Sequence, residues 1–218
     1  PLTRSRDSVL VTSFPFTAAR RRRDRVRVAS YGRVVVNSRF TAGAVAQRWH
    51  RDAQVLHPPI EPVAPREKRP WILGVGRFTG GGRSKCQVEM VATFRALGPE
   101  VHRTWELHLA GFVEDPGYLA AVRRRAAGLP VHVHPDVERP SLERLYGSSS
   151  LFWHACGLGV DERREPHRVE HFGLTTAEAM SAGCVPVVIG AGGQPEIGGT
   201  DGLAGALWQD PEQWLDRT

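Results

Sequence analysis

Short apolar runs alternate with helix-forming segments along most of this chain. The apolar runs cover residues 71–75, 106–110, 131–134, 151–154 and 185–189, and the helical segments between them cover about 86–97, 116–127, 141–147 and 175–182. Uninterrupted apolar runs of this length predict strands that are covered on both faces. Strands that alternate with helices predict a parallel sheet. The predicted fold class is α/β, with a Rossmann-like parallel sheet and helices on both faces.

The composition excludes several classes of protein. Hydrophobic residues make up 41% of the 218 residues and charged residues 24%, which is typical of a folded globular protein and excludes wholesale disorder. No apolar run approaches the ~20 residues that a membrane-spanning helix needs. The three cysteines, Cys86, Cys156 and Cys184, lack paired or metal-type spacing, which favours a reducing compartment and a cytoplasmic location.

A proline-rich stretch predicts a boundary within the chain. Five prolines between positions 58 and 70 disfavour regular structure and favour a semi-rigid connector. We therefore predict a linker over 57–70 that joins residues 1–56 to a Rossmann-like domain over 71–218. Within the first part, a strand is expected at 34–36 and a helix over about 40–50.

The net charge of +6 is concentrated near the beginning of the chain. Residues 1–30 hold eight arginines against Asp7 and Asp24, so the remaining residues are balanced. The arginine-rich arm over 20–27 could contact an anionic membrane or nucleic acid. No aromatic residues are interleaved with it, as single-strand binders require, so a solvated arm is favoured and no nucleic-acid partner is expected.

A glycine-rich turn follows the first strand of the predicted domain. Residues 74–85 contain five glycines together with Arg77 and Lys85. Glycines let a backbone approach an anion closely, and the two cations would suit a diphosphate. The spacing is not that of a Walker loop. From the glycine content alone, a flexible surface loop remains the alternative.

Two carboxylates, Glu170 and Glu178, lie eight positions apart around a glycine turn that opens a helix. Backbone amides near 173–176 could hold phosphate oxygens there. A capping box formed by Thr175 and Glu178 explains the same spacing without any ligand. A second glycine-rich turn, over 190–197, follows the last predicted strand, where open α/β sheets bind ligands.

Histidines also cluster near these carboxylates. His154, His167 and His171, with Cys156 nearby, could ligate a metal. Only His167 and His171 have a spacing typical of metal ligands. No third ligand has a fixed spacing from them, so a metal site is not favoured.

Together, these segments resemble the nucleotide-sugar-binding half of a GT-B glycosyltransferase of the family 4 (group 1) type. Glu170 to Glu178 resembles the E-x7-E motif of that family, and residues 192–197 resemble its Gly-Gly-x-Pro-Glu element. Gly76-Arg77 with Lys85 is similar to its Gly-Arg…Lys pair, and residues 31–41 are similar to the segment that closes the first domain of the family. The resemblance covers roughly 31–210.

The resemblance implies a role for each matched residue. Arg77 and Lys85 would bind the donor diphosphate and stabilise the leaving group, and Glu170 would face the sugar as the third catalytic residue. Glu178 would hold the ribose hydroxyls. The remaining expected donor-site residues are Gly76, His154, His171, Phe172, Gly173, Leu174 and Thr175.

The resemblance also implies an activity and its partners. We expect a retaining hexosyltransferase that uses a nucleotide-diphosphate sugar, such as GDP-mannose or a UDP-sugar, with no cofactor and no metal. The acceptor would be a saccharide or a lipid-linked molecule, and peripheral contact with an anionic membrane is compatible with the basic arm. The alternatives are a nucleotide- or nucleic-acid-binding module and a non-transferase GT-B enzyme.

Two departures from the family pattern qualify these expectations. Gly80-Gly81-Gly82 lengthen the segment between Arg77 and Lys85, which could carry Lys85 away from the phosphates. Most of the first of the two family domains is absent from 1–56, of which residues 1–40 resemble only the last strand and helix of that domain. We therefore expect this chain to bind donor and to transfer little or no sugar.

Overall fold

A computed structural model describes residues 7–15, 22–197 and 207–218. The strands are β1 Val9–Thr12, β2 Arg33–Val36, β3 Gln54–Val55, β4 Arg69–Val75, β5 Glu106–Gly111, β6 Val131–Pro135, β7 Ser149–His154, β8 Val185–Ile189 and β9 Leu207–Trp208. The helices are α1 Arg22–Ala29, α2 Arg39–Trp49, α3 Gln87–Ala96, α4 Gly98–His102, α5 Pro116–Ala126, α6 Arg139–Ser148, α7 Leu174–Ser181 and α8 Pro211–Asp216.

Six strands form the main sheet, in the order β6-β5-β4-β7-β8-β9. Every neighbouring pair is parallel. This order places β4 at the centre, and the direction of strand addition reverses between β4 and β7, as in doubly wound folds. The predicted α/β class with a Rossmann-like parallel sheet is confirmed.

The sheet is covered by apolar side chains on both faces. On one face, Leu109 of β5 and Trp153 of β7 belong to one apolar cluster with Met90 and Phe94 of α3. The other packs Leu73, Phe152 and neighbouring residues against α6 and α7. Burial on both faces explains why these strands are uninterrupted apolar runs. Because β4, β7 and β8 pair in parallel, their carboxyl ends lie at the same end of the sheet.

Three short parallel strands, in the order β1-β2-β3, form a second sheet. Val34, Val36, Val45 and Trp49 pack into a small core between this sheet and α2. The hydroxyl of Ser38 accepts a hydrogen bond from the Thr41 amide and caps α2. The sequence predicts one strand and one helix here, and the structure has further strands at β1 and β3 and a further helix at α1.

The proline-rich segment lies between the two sheets. Strand β4 begins at Arg69, two residues before the predicted start of the second domain, and the pairing of β4 with β7 is irregular between Arg69 and Ile72. Pro70 lacks an amide hydrogen, which suits the irregular start of a strand.

Other expectations concern the cysteines and the arginine-rich arm. All three cysteines are buried and have no disulfide partner. Residues 20 and 21 of the arm and the side chains of residues 22–25 lie outside the part that the structure describes. Within the described ranges, no helix is long and apolar enough to cross a membrane.

Candidate functional site

Lys85 and Glu170 form an ion pair at the carboxyl ends of strands β4 and β7, on the side of the main sheet that we call the carboxyl edge. Lys85 immediately precedes Cys86 and helix α3, and Glu170 follows the short 3-10 turn Pro166–Arg168. Their Nζ and Oε2 atoms lie 2.7 Å apart, and each side chain is about one-fifth exposed (21% and 20%). The sequence indicated these two residues from two separate motifs, and the structure brings them into contact.

The three glycines that lengthen the segment between Arg77 and Lys85 do not carry Lys85 away from this edge. A Cβ atom added to Gly76 would lie 2.7 Å from Cγ of Lys85, so the lysine stem passes directly over Gly76 at the end of β4. Of the three glycines that lengthen this segment, Gly80 precedes and the other two begin the short 3-10 turn Gly81–Arg83, outside this contact. Gly76 is thus required for the close approach of Lys85.

His154 completes a buried cluster with this ion pair. It is the last residue of β7, is 2% exposed, and its Nε2 lies 3.4 Å from Oε2 of Glu170. Among the described residues, no hydrogen-bond partner meets its Nδ1. The imidazole of His154 therefore holds one oxygen of the Glu170 carboxylate through Nε2, and its Nδ1 is left for another partner.

The surroundings set the charges of this cluster. Burial alone raises the pKa of Glu170, but the hydrogen bond from His154 and the charge of Lys85 outweigh it and hold the pKa well below its usual value. Burial lowers the pKa of Lys85, but the negative charge of Glu170 outweighs that effect and raises it. Burial lowers the pKa of His154. At neutral pH the cluster therefore holds one carboxylate, one ammonium and one neutral imidazole.

Arg77 extends this cationic edge into solvent. It is two residues beyond the end of β4, and its guanidinium lies 3.1 Å from Glu114 in a pair whose side chains are 48% and 30% exposed. Such an exposed pair contributes about 0–1 kcal/mol. Arg77 can therefore exchange Glu114 for a bound anion at small cost.

Helix α7 begins beside Glu170 without a side-chain cap. Its N-cap is Gly173, with φ of 110° and no capping side chain. The capping box considered for Thr175 and Glu178 is therefore wrong: the helix begins one residue before Thr175. The first turn, with Leu174 exposed, presents the helix N-terminus to solvent, as anion binding requires.

Glu178 is held by two residues that the sequence motifs did not indicate. One carboxylate oxygen accepts a 2.6 Å hydrogen bond from Arg139, and the other accepts a 3.0 Å hydrogen bond from the hydroxyl of Tyr146. Both partners lie on α6, so only the packing of α6 against α7 brings them to Glu178. No local pattern around Arg139 or Tyr146 could have indicated this contact.

The second glycine-rich turn, over 190–197, packs against the backbone of the segment that carries Glu170. The Gly193 amide donates a 2.8 Å hydrogen bond to the Glu170 carbonyl. A Cβ atom at Gly192 would lie 2.0 Å from that same carbonyl oxygen, and one at Gly193 would lie 2.2 Å from the carbonyl oxygen of His171. This turn therefore positions the carboxylate loop by close backbone packing.

The next two predicted residues, His171 and Phe172, stack on aromatic rings from the first 57 residues of the chain. The ring of His171 stacks on Phe14, with centroids 4.0 Å apart, and burial lowers its pKa to about 4. Phe172 is buried and stacks on His57. Within the described residues, His154, His167 and His171 do not form a three-ligand metal group.

This parallel strand order, with helices on both faces of the sheet, defines a Rossmann-like α/β domain whose candidate site lies at the carboxyl ends of its strands. A family comparison then identifies the chain more closely. It belongs to the family Glycosyl transferases group 1, whose sequence profile matches residues 69–218. The resemblance derived from the motifs is confirmed.

Solved structures show the same fold at low sequence identity. The chain is similar to the α,α-trehalose-phosphate synthase (UDP-forming) of Burkholderia vietnamiensis, with a TM-score of 0.70 and 14% identity over 96% of this chain and 59% of that one. It is similar to the E. coli trehalose-6-phosphate structure bound with UDP-2-fluoro glucose, with a TM-score of 0.68 and 13% identity over 96% and 58% of the two chains.

WaaG, a glycosyltransferase involved in lipopolysaccharide biosynthesis, is also similar, with a TM-score of 0.65 and 15% identity over 96% of this chain and 64% of that one. The chain thus spans 58–64% of the length of these three structures. A sequence comparison with curated proteins finds no match.

Proposed function

We propose that this chain is the donor-binding part of a retaining glycosyltransferase that moves a hexose from a nucleotide-diphosphate sugar to a saccharide or lipid-linked acceptor. The buried Lys85–Glu170 pair, seated on Gly76 beside the uncapped start of α7, carries this proposal. It places a cation, a carboxylate and helix amides at the carboxyl edge of the sheet, where open α/β folds bind ligands.

The diphosphate is bound by the cations of this edge. Lys85 and Arg77 neutralise its oxygens, and the N-terminus of α7, from Gly173 to Thr175, supplies backbone amides. In transfer, the oxygen of an acceptor hydroxyl forms a bond to the anomeric carbon while the bond from that carbon to the diphosphate oxygen breaks. The electron pair of the broken bond leaves with the nucleoside diphosphate, which also takes up the hydroxyl proton. Preorganised cations stabilise that developing charge without a metal ion.

The two carboxylates bind the other parts of the donor. Glu170 orients the sugar hydroxyls and stabilises positive charge at the anomeric carbon, while Glu178 accepts hydrogen bonds from the ribose. The contacts of Arg139 and Tyr146 hold Glu178 in place for this purpose. Each oxygen of Glu178 keeps a further lone pair for a ribose hydroxyl.

A uridine nucleotide is the first donor to test. One similar structure is UDP-forming and another is bound with UDP-2-fluoro glucose. GDP-mannose remains the other donor that the motifs imply.

A thermal-shift screen against UDP, GDP, ADP and CMP without added metal tests the proposal. We expect one nucleoside diphosphate, at 100 times its dissociation constant, to stabilise the protein by about 2.7 kcal/mol. Glu178→Gln should reduce the shift for that nucleotide. A cooperative melting transition that no nucleotide moves would refute donor binding.

A further inference from the structure

A second cluster of titratable side chains lies on strands β5 and β6, separate from the donor edge. Glu106 is the first residue of β5, at the opposite end of that strand from Gly111. His108 lies directly opposite His132 on the edge strand β6. The donor-site mechanism uses none of these three residues.

The three side chains bring their polar atoms close together. Oε2 of Glu106 lies 3.1 Å from Nε2 of His108 and 3.3 Å from Nε2 of His132. All three atoms lie within 4.8 Å of one another. Ligands bound to a tetrahedral Zn²⁺ ion at about 2.0–2.1 Å are separated by about 3.3 Å. The carboxylate is therefore already spaced from both imidazoles as a shared metal ion requires.

The central ligand, His108, is held firmly by its neighbours. It is 5% exposed, and its ring packs on Trp71 with centroids 4.3 Å apart. Its Nδ1 lies 3.0 Å from Nε2 of His134, and the planes of these two rings differ by 7°. Metal-binding histidines are typically anchored through the ring nitrogen that does not bind the ion, and here His134 is the anchor in place of the more common carboxylate or carbonyl.

The other two ligands leave the site accessible. The side chains of Glu106 and His132 are 40% and 49% exposed, so an ion can reach them from solvent. The rings of His108 and His132 are stacked with 22° between their planes. The half-exposed ring of His132 must therefore turn about χ2 to direct Nε2 at the ion, and water takes the fourth position.

We propose that Glu106, His108 and His132 bind one divalent transition-metal ion of the Zn²⁺ type, with His134 positioning His108. Imidazole and carboxylate ligands suit such ions. The ion joins the edge strand β6 to β5 through side chains. This site is independent of the metal-free donor chemistry proposed above.

Calorimetric titration of chelator-treated protein with Zn²⁺ tests the proposal. We expect one ion per chain, and a reduction in affinity of at least 10-fold in both His132→Ala and Glu106→Gln. These variants change exposed side chains, so they should fold where a variant of buried His108 could fail. His134→Gln should weaken binding by about 10–100-fold through the loss of positioning.

His50→Asn provides a matched control, because it removes an exposed histidine from the end of α2 at a left-handed position that asparagine tolerates. Its affinity for Zn²⁺ should equal that of the wild type. Co²⁺ in place of Zn²⁺ should give the visible absorption of a tetrahedral site, and His132→Ala should abolish it. Absence of stoichiometric binding, or unchanged binding in His132→Ala and Glu106→Gln, would overturn the proposal and leave a hydrogen-bonded cluster only.

Discussion

At the residue scale, the Lys85–Glu170 pair dominates the electrostatics of the candidate site. Two charges that are about four-fifths buried stabilise one another, and each would be costly alone. The sequence indicated both residues, because each belongs to a recognisable motif. It could not indicate that they contact each other, because that contact depends on the packing of two loops 85 residues apart.

Removal of one member of this pair should destabilise the fold. We expect Lys85→Met to lower the free energy of unfolding by about 3 kcal/mol, since it leaves a buried carboxylate unpaired. Urea denaturation measures this change. The double variant Lys85→Met with Glu170→Gln should recover most of the loss. Arg103→Ala, which breaks an exposed pair with Glu100, is the control and should cost less than about 1 kcal/mol. Equal losses in Lys85→Met and the control would contradict burial of the pair.

The lowered pKa of Glu170 makes its contribution depend on pH. A carboxyl whose pKa is lower in the folded than in the unfolded state stabilises the fold above the unfolded value of about 4.5, and this stabilisation is lost as pH falls through the folded pKa. We therefore expect the stability difference between wild type and Glu170→Gln to be constant from about pH 6 to 8 and to shrink below about pH 4.5.

Urea denaturation across this pH range provides the measurement. Glu100→Gln, which changes an exposed carboxylate, should leave the curve of stability against pH close to that of the wild type. A difference between wild type and Glu170→Gln that grows as the solution is acidified would show that the sign is wrong.

At the scale of elements, the longer strands of the main sheet and the helices that pack on it could be predicted from the sequence. Strand β8 was predicted at its observed bounds, and α3, α5 and α7 within about one residue at each end. Uninterrupted apolar runs and helix-forming segments determine such elements locally. The short elements β1, β3 and β9 were not predicted, because two to four residues carry too little pattern and depend on pairing with other strands.

The glycine-rich turns also act at this scale, because they hold one element against another. Gly192 has φ of 63° and no room for a side chain beside the Glu170 carbonyl, whereas Gly128, with φ of 77°, has open space around it. We expect Gly192→Ala to lower the free energy of unfolding by about 2 kcal/mol more than Gly128→Ala. Both variants place an alanine in a left-handed backbone conformation, but only at Gly192 does the added methyl group clash with a neighbouring carbonyl.

Urea denaturation of the two variants separates these effects. The proposed function adds that Gly192→Ala should weaken nucleotide binding, since it displaces the carboxylate loop, while Gly128→Ala should not. Equal stability losses in the two variants would contradict the close contact between the second glycine-rich turn and the Glu170 loop.

At the scale of the whole molecule, Glu196 links the turn after β8 to helix α2, which packs on the smaller sheet. Its two carboxylate oxygens accept 2.7 Å hydrogen bonds from the amides of Arg39 and Phe40 in the first turn of α2. A carboxylate at a helix N-terminus is favoured by unpaired amides and by the helix dipole. The sequence indicated Glu196 only as part of a motif, since its partners lie about 157 positions away.

Loss of this charge should loosen α2. We expect Glu196→Gln to increase hydrogen exchange in α2 about 10-fold, which corresponds to about 1.4 kcal/mol. Mass spectrometry of peptides from Arg39–Trp49 measures it. Asp210→Asn is the control, because Asp210 caps α8 within the main domain and should leave α2 unchanged. Unchanged protection of α2 in Glu196→Gln would contradict a stabilising role for this contact.

Donor binding at the carboxyl edge is most directly tested by calorimetric titration of UDP, or of the nucleotide selected by thermal shift, in the presence of EDTA. Arg77→Ala is the informative variant, because its exposed pair with Glu114 contributes little stability. We expect one nucleotide per chain in the wild type, at least 10-fold weaker binding in Arg77→Ala, and wild-type affinity in Arg124→Ala, which removes an exposed arginine from α5. Equal affinity in wild type and Arg77→Ala, or binding that requires a metal ion, would contradict metal-free recognition of the diphosphate at this edge.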